Sequence, residues 1–375
     1  MFRRHGMEGI YGIAGGNLVS EESERNLNLA RDMATKRKMN EALRYLKEAL
    51  KDPHNLDASI ELATFARTPM EGVTTLEVAA ERGRKILLEE WLGPTAFDDD
   101  GEFVGNYWGL LETRPYMRVL NSLSTVYFET KQYAKRTKVN IEMLRLCPLD
   151  NIGIRKVLGS GLIRDGRYAD ALSFAQTWLT ESAMDGTPPP RGGTMFQAPS
   201  KQPLSAQDEA RMSERGSSGE ITHTAALAAF KLWGDCPIAR QYLRIASKVN
   251  PFILVRVLGK VRRPSEPNRI PRTVNGPEDA HDYLWLIQDH WMIPAVWNWV
   301  NNNPDAKKVL LKTCSRTGCA QREGAVAQFK RCAACKLEMY CSADCQKVHW
   351  REHKPVCKEH QARKATNKAF ARGGQ

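Results

Sequence analysis

The stretch that decides the C-terminal fold is Cys332-Ala333-Ala334-Cys335-Lys336-Leu337-Glu338-Met339-Tyr340-Cys341-Ser342-Ala343-Asp344-Cys345, followed by His353 and Cys357. With Cys314 and Cys319 upstream, the spacing is C-x4-C, twelve residues, then C-x2-C-x5-C-x3-C-x7-H-x3-C. A structural zinc takes four thiolate or imidazole ligands at about 2.3 Å to sulfur and about 2.0–2.1 Å to nitrogen, so eight ligands imply two zinc ions. Short spacings let one turn present two ligands, giving natural pairs at 314/319, 332/335, 341/345 and 353/357. Seven of the nine cysteines fall in this segment, too dense a cluster for unrelated core thiols. A disulfide framework does not suit the context. The start Met1-Phe2-Arg3-Arg4-His5-Gly6 is basic, with no secretory apolar run after it, so an intracellular location, cytoplasmic or nuclear, is expected.

Outward from the ligands, Phe329–Cys332 and Leu337–Tyr340 read as a small hairpin across the Cys332–Cys335 knuckle. Ser342 reads as the N-cap of a helix through Asp344, Lys347, Trp350 and His353. Trp350 reads first as a core residue of that helix and second as an exposed docking residue. His349 and His360 lie near the ligands but fit neither site by spacing.

The segment resembles the MYND zinc finger, on Tyr340-Cys341-Ser342-x-x-Cys345-Gln346 and Trp350-x-x-His353-Lys354-x-x-Cys357. The resemblance implies interleaved sites. Cys314, Cys319, Cys341 and Cys345 would hold one zinc, and Cys332, Cys335, His353 and Cys357 the other. It also implies docking of short proline-containing peptides, with Gln346 and Trp350 as candidate partner contacts. The first pair is spaced x4 where that family more often has x2. About 50 residues bury too little apolar surface to fold unaided, which makes a metal cross-brace physically sensible.

The formal net charge is +12, yet it is concentrated: residues 306–375 carry 16 Lys and Arg against 5 Asp and Glu. Seven thiolates and two divalent ions would bring that module near +8. A basic module invites a nucleic-acid reading, but the aromatic-interleaved groove of single-strand binders is absent from the sequence. Beyond Cys357, the basic tail 358–375 extends the helix or stays disordered.

Upstream, internal repetition is the main signal. Arg167-Tyr168-Ala169-Asp170-Ala171 echoes Gln132-Tyr133-Ala134-Lys135-Arg136 at an offset of 35 residues. Gly234-Asp235-Cys236-Pro237-Ile238-Ala239 and Asn40-Glu41-Ala42 repeat it more loosely. Leu43, Leu46, Ala49 and Leu50 share one helical face, and Ile238, Tyr242, Ile245 and Val249 another. These features resemble tetratricopeptide repeats, whose helix pairs must stack to bury their apolar stripes. Trp108-Gly109-Leu110-Leu111-Glu112-Thr113-Arg114-Pro115-Tyr116-Met117-Arg118 and Cys147-Pro148-Leu149-Asp150-Asn151-Ile152-Gly153-Ile154-Arg155 are similar to signatures of a family of tetratricopeptide-like proteins, mostly bacterial, with a tumour-suppressor-related branch. That resemblance implies fold rather than reaction. Glu112, Arg114 and Arg118 read as a structural ion-pair network, with a ligand groove as the alternative.

The expected fold is mainly α, a tetratricopeptide-like helical array followed by a small double-zinc finger. Residues 1–37 form an N-terminal extension, partly helical; 38–305 the repeat domain; 306–357 the finger; 358–375 the basic tail. Residues 185–220, with Pro188-Pro189-Pro190 and Gly216-Ser217-Ser218-Gly219, read as a disordered insertion. Asp98-Asp99-Asp100-Gly101 lacks EF-hand spacing and reads as an exposed turn, and Cys147 and Cys236 as packing residues at helix ends. No run of 18 apolar residues occurs. The functional expectation is a non-catalytic protein–protein interaction adaptor; the alternative is a nucleic-acid-associated regulator using the basic module. Some MYND fingers accompany lysine methyltransferase domains, but the Asn-His-Ser-Cys segment and the glycine-rich S-adenosylmethionine motif are absent here, so no enzyme activity is expected.

Overall fold

The computed structural model describes residues 18–214 and 217–373, so residues 1–17 of the expected N-terminal extension lie outside the described residues. The chain forms two compact units, Met1–Ala198 and Pro199–Gln375. The expected domain 38–305 is therefore divided, and its last helices share a unit with the finger. The physical reason lies in packing of those helices against the finger, described below.

The first unit contains α1 (Glu21–Thr35), α2 (Met39–Ala49), α3 (Leu56–Thr64), α4 (Pro69–Ile86), α5 (Arg114–Glu129), α6 (Tyr133–Leu146), α7 (Arg155–Arg164), α8 (Tyr168–Trp178) and the short α9 (Glu181–Met184). Three hairpins, α1/α2, α5/α6 and α7/α8, turn through the same three-residue connection. Its middle residue is left-handed in each: Arg37 at φ 61°, Lys131 at φ 60° and Gly166 at φ 74°. Each first helix closes with two reversed backbone bonds: Lys38 N–H to Met33 O, Gln132 N–H to Tyr127 O and Arg167 N–H to Leu162 O, at 2.8–2.9 Å, each beside a shorter-range bond. This pairing satisfies the carbonyls that a helix C-terminus leaves open. The repeated sequence echo is thus the first turn of each returning helix. Ala42 and Ala171 are fully buried there. At the matching position of α6, Arg136 is buried with its guanidinium 4.5 Å from the Phe128 ring centre. Burial holds its pKa down to about 10.

Between α2 and α5 the regularity lapses. α4 runs into a π-helical turn, Leu87–Trp91, and residues 92–113 are irregular. Within this stretch Thr113 Oγ1 donates to Tyr107 O and Arg114 Nε to Trp108 O. Arg118 grips the buried Asp57 with two bonds of 2.9 and 2.7 Å. Glu112 takes no part in that pair and instead borders a small recess with His54 and Tyr116.

The second unit holds α10 (Ala206–Met212), α11 (Gly219–Trp233), α12 (Pro237–Val249), α13 (Pro251–Leu258), α14 (Pro277–Trp291), α15 (Pro294–Asn302) and α16 (Pro304–Leu310), then the finger. Five successive helices begin on proline. Its fixed φ and missing N–H are harmless at that position. Among the described residues, no helix is long and apolar enough to cross a membrane.

The segment expected to be disordered is instead structured where described. In the first unit Gly192 and Gly193 are buried, and Trp178 Nε1 donates to Gly192 O at 3.0 Å. A Cβ on Gly192, at φ 62°, would meet Leu144 at 2.9 Å, so the glycines serve close backbone approach. In the second unit Ser205 caps α10, and Glu209 accepts two bonds from Arg244. Low apolar content misled because polar cross-pairs do the tethering.

Candidate metal centre

The finger starts from β1 (Lys330–Arg331) and β2 (Met339–Tyr340), antiparallel with Lys330 opposite Tyr340. The chain between them makes the Cys332–Cys335 knuckle. Lys336 adopts φ 62° and donates to Cys332 O at 2.9 Å, which turns both sulfurs to one side. The first loop is tied to β2, since Ser315 N–H donates to Met339 O at 2.8 Å and Met339 N–H to Ser315 Oγ at 2.9 Å. Ser342 Oγ accepts from Cys345 N–H at 3.1 Å, opening α17 (Ala343–Gly373). The helix continues through the basic tail as far as residue 373.

The eight ligands assemble into two groups, Cys314/Cys319/Cys341/Cys345 and Cys332/Cys335/His353/Cys357, with donor atoms in each within 4.8 Å of one another. The first and third sequence pairs meet, as do the second and fourth. In the first group, sulfur separations are 3.8 Å (319 to 341), 3.4 Å (341 to 345) and 3.9 Å (345 to 319). In the second, Cys332 and Cys357 sulfurs are 3.9 Å apart, and Cys335 Sγ lies 3.3 Å from His353 Nε2. A tetrahedron with bonds of about 2.3 Å has edges of about 3.8 Å, so both donor sets fit one zinc each. All nine cysteines are free of disulfides. Burial alone would raise the Cys332 thiol. In the metal-free protein, donation from the Cys335 amide, the His353 ring and the Ala334 amide outweighs it and brings the pKa down to about 6, whereas Cys357 of the same group is raised, chiefly by burial. Each site has four protein ligands and no open position, the pattern of structural rather than catalytic zinc.

Tyr340 fills the space between the sites, and its hydroxyl meets His349 Nδ1 at 3.1 Å. His349 stacks on His353 with ring centres 5.9 Å apart and belongs to neither ligand group; His360 likewise stays outside. Trp350 is 40 % exposed, which corrects the expectation of a core residue. The metal clusters and Tyr340 already fill the small interior. Gln346, on the same helix, is half-buried.

Several residues that sequence reasoning passed over support the site. Gln361 Nε2 donates to Cys357 Sγ at 3.2 Å, and Leu337 N–H to Cys335 Sγ at 3.4 Å, steadying thiolate charge. Glu323 is 4 % exposed and accepts from Lys312 N–H at 2.9 Å and Phe329 N–H at 2.8 Å. Arg322 Nη2 donates to Lys308 O in the last turn of α16. Val255 of α13, Leu310 of α16 and Val326, Phe329 and Met339 of the finger line one recess, which explains why these helices and the finger form one unit. A lone glutamate in a basic stretch gave no sequence signal. Elsewhere, Asp99 sits in an exposed turn paired with Arg145 and Arg191, while Cys147 is buried at the end of α6.

Residues 312–357 match the MYND finger family. This part of the chain is a MYND zinc finger. Such fingers are generally protein-interaction modules. An F-box protein of Arabidopsis thaliana is 42 % identical over 48 residues, 12 % of this chain and 14 % of that protein. The SET domain and MYND-type zinc finger protein 6 of Schizosaccharomyces pombe is 46 % identical over 55 residues, 15 % of this chain and 10 % of that protein. The chain thus covers only about a tenth to a seventh of those relatives' length. No solved structure matches.

Proposed function

We propose that this protein is a non-catalytic protein–protein interaction adaptor, working in the cytoplasm or nucleus. Its MYND finger docks short proline-containing peptides, and its helical hairpins act as a tetratricopeptide-like scaffold. The observation that carries this reading is the surface of the finger. Two closed zinc sites hold a hairpin and a helix rigid, and Leu337, Val348 and Trp350 project from them exposed. Large apolar side chains held at the surface of a small rigid module suit partner docking. Stacked hairpins with buried alanines at the close approaches suit a scaffold.

The test is affinity capture with the full chain and with a Cys335→Ser variant, alongside binding of proline-containing peptides. Peptides that bind the zinc-loaded protein and not the variant support docking. Equal partner recovery by both proteins would overturn it. The nucleic-acid reading is favoured by the exposed helix beyond Cys357, where Lys358, Arg363 and Lys364 face solvent. DNA binding that falls by orders of magnitude between about 50 and 200 mM salt, with no peptide bound, would replace the adaptor reading.

A further inference from the structure

The outer face of α17 carries a row of cations. Lys347, Arg351, Lys354 and Lys358 follow one another at steps of four, three and four residues, and all four are exposed. At 3.6 residues per turn they fall within about 60° of one another and span about 16 Å along the axis. Lys347 has a loose partner, Asp344 at 3.6 Å, in the same first turn. No carboxylate among the described residues pairs with Arg351, Lys354 or Lys358. The remaining acids of this stretch, Glu352 and Glu359, lie about 120° round the helix. Glu352 is already engaged by Thr317 Oγ1 at 3.0 Å. Cys345 and His353 turn toward the metal centres on other sides of the helix, so the cationic row faces solvent.

Two features define what fits this row. Trp350 and Val348 are exposed on its two flanks, placing apolar anchors beside the charges. The row is also narrow: a duplex lying over it would bring its phosphates toward the acidic flank, while an extended chain occupies the cationic row alone. An extended peptide advances about 3.3 Å per residue, so about five residues cover 16 Å.

We infer that the segment docked on this finger is acidic, with Asp or Glu side chains running along Lys347, Arg351, Lys354 and Lys358 beside the proline-containing stretch. The inference rests on the docking proposal for its position, but its charge chemistry is separable. The cations supply register and rate through complementary potential, and Trp350 supplies apolar anchorage.

The experiment measures binding of the zinc-loaded full chain to four probes: a neutral proline-containing peptide, the same peptide with five flanking Glu residues, a proline-free Glu-rich peptide, and duplex DNA. The comparison protein is K347Q/R351Q/K354Q/K358Q, whose substitutions are all at exposed positions. Its zinc content and circular dichroism must match wild type; if they do not, the double variant K354Q/K358Q takes its place. The acidic flank is expected to tighten binding about tenfold at low salt, the combined effect of several exposed pairs. That gain should vanish in the variant and shrink as salt rises. Equal affinity for neutral and acidic proline peptides overturns this inference and leaves docking intact. Binding of the Glu-rich peptide without any proline peptide supports the cationic row and overturns proline docking. Binding of duplex DNA alone, lost in the variant, overturns both in favour of nucleic acid.

Discussion

The fully buried side chains of the unit Met1–Ala198 include Leu46, Leu76, Leu158 and Phe174, whereas those that fill the finger are Cys314, Cys332, Cys335, Tyr340, Cys345 and Cys357. The helices exclude water from hydrocarbon, and close their ends with caps such as Thr68 on Glu71 N–H. The finger has almost no hydrocarbon interior. It gathers thiols that stabilise nothing until a metal bridges them. Two regions of one chain therefore depend on different variables, one on apolar area and the other on free zinc and pH.

Metal removal should separate the regions most strongly. Structural zinc contributes about 10–16 kcal/mol of apparent binding free energy in finger peptides. Elemental analysis is expected to find about two zinc atoms per chain. After chelation, proteolysis should cut the segment 312–357 while most helical circular dichroism survives. Loss of most helicity on chelation would break the comparison, because the helices would then depend on zinc as well.

A core truncation should do the reverse. Phe174→Ala removes a fully buried ring packed edge-on against Trp178, with centres 6.4 Å apart. A loss of about 3–5 kcal/mol is expected in denaturant unfolding of the helical signal, with the zinc count unchanged.

Just beyond α16, Glu323 braces the start of the finger. Replacing it by Ala leaves the Lys312 and Phe329 amides without their acceptor, at a cost of about 1–3 kcal/mol. Hydrogen exchange should show faster opening at the contact of α16 with the finger. Unchanged protection there would mean that apolar packing around Val255 and Leu310 holds the finger by itself.

The smallest effect concerns pH. His223 is wholly buried between the rings of Tyr283 and Trp291, and burial depresses its pKa to about 4 from 6.5. The folded protein keeps it neutral, whereas the unfolded chain takes up a proton near 6.5. Its contribution is complete above pH 6.5 and is lost as pH falls from there toward 4. Acid also releases zinc, so thermal midpoints of wild type and His223→Leu are compared across this range. The variant should show the shallower decline, and identical slopes would assign the acid sensitivity to the metal sites.

Much of the finger was legible because ligand chemistry restricts both residue type and spacing: a turn short enough to present two sulfurs leaves a visible gap of two to four residues. The helical hairpins were legible from their echo, since the same Schellman turn recurs at Lys131 and Gly166. The stretch around Gly192 misled, because its glycines admit a close backbone instead of loosening it.

The amino-acid sequence by itself determined the helical class, the hairpin turns and the eight zinc-ligand candidates, all consequences of interactions within a few residues. Only the tertiary structure decided the rest: that Trp350 stays at the surface, that Arg322 of the finger reaches Lys308 of α16, that Arg118 finds Asp57 across 61 positions, and that the chain divides near residue 198. Those outcomes depend on which surfaces meet after the local elements form. Burial and long-range pairing are properties of that meeting, and no local pattern encodes them.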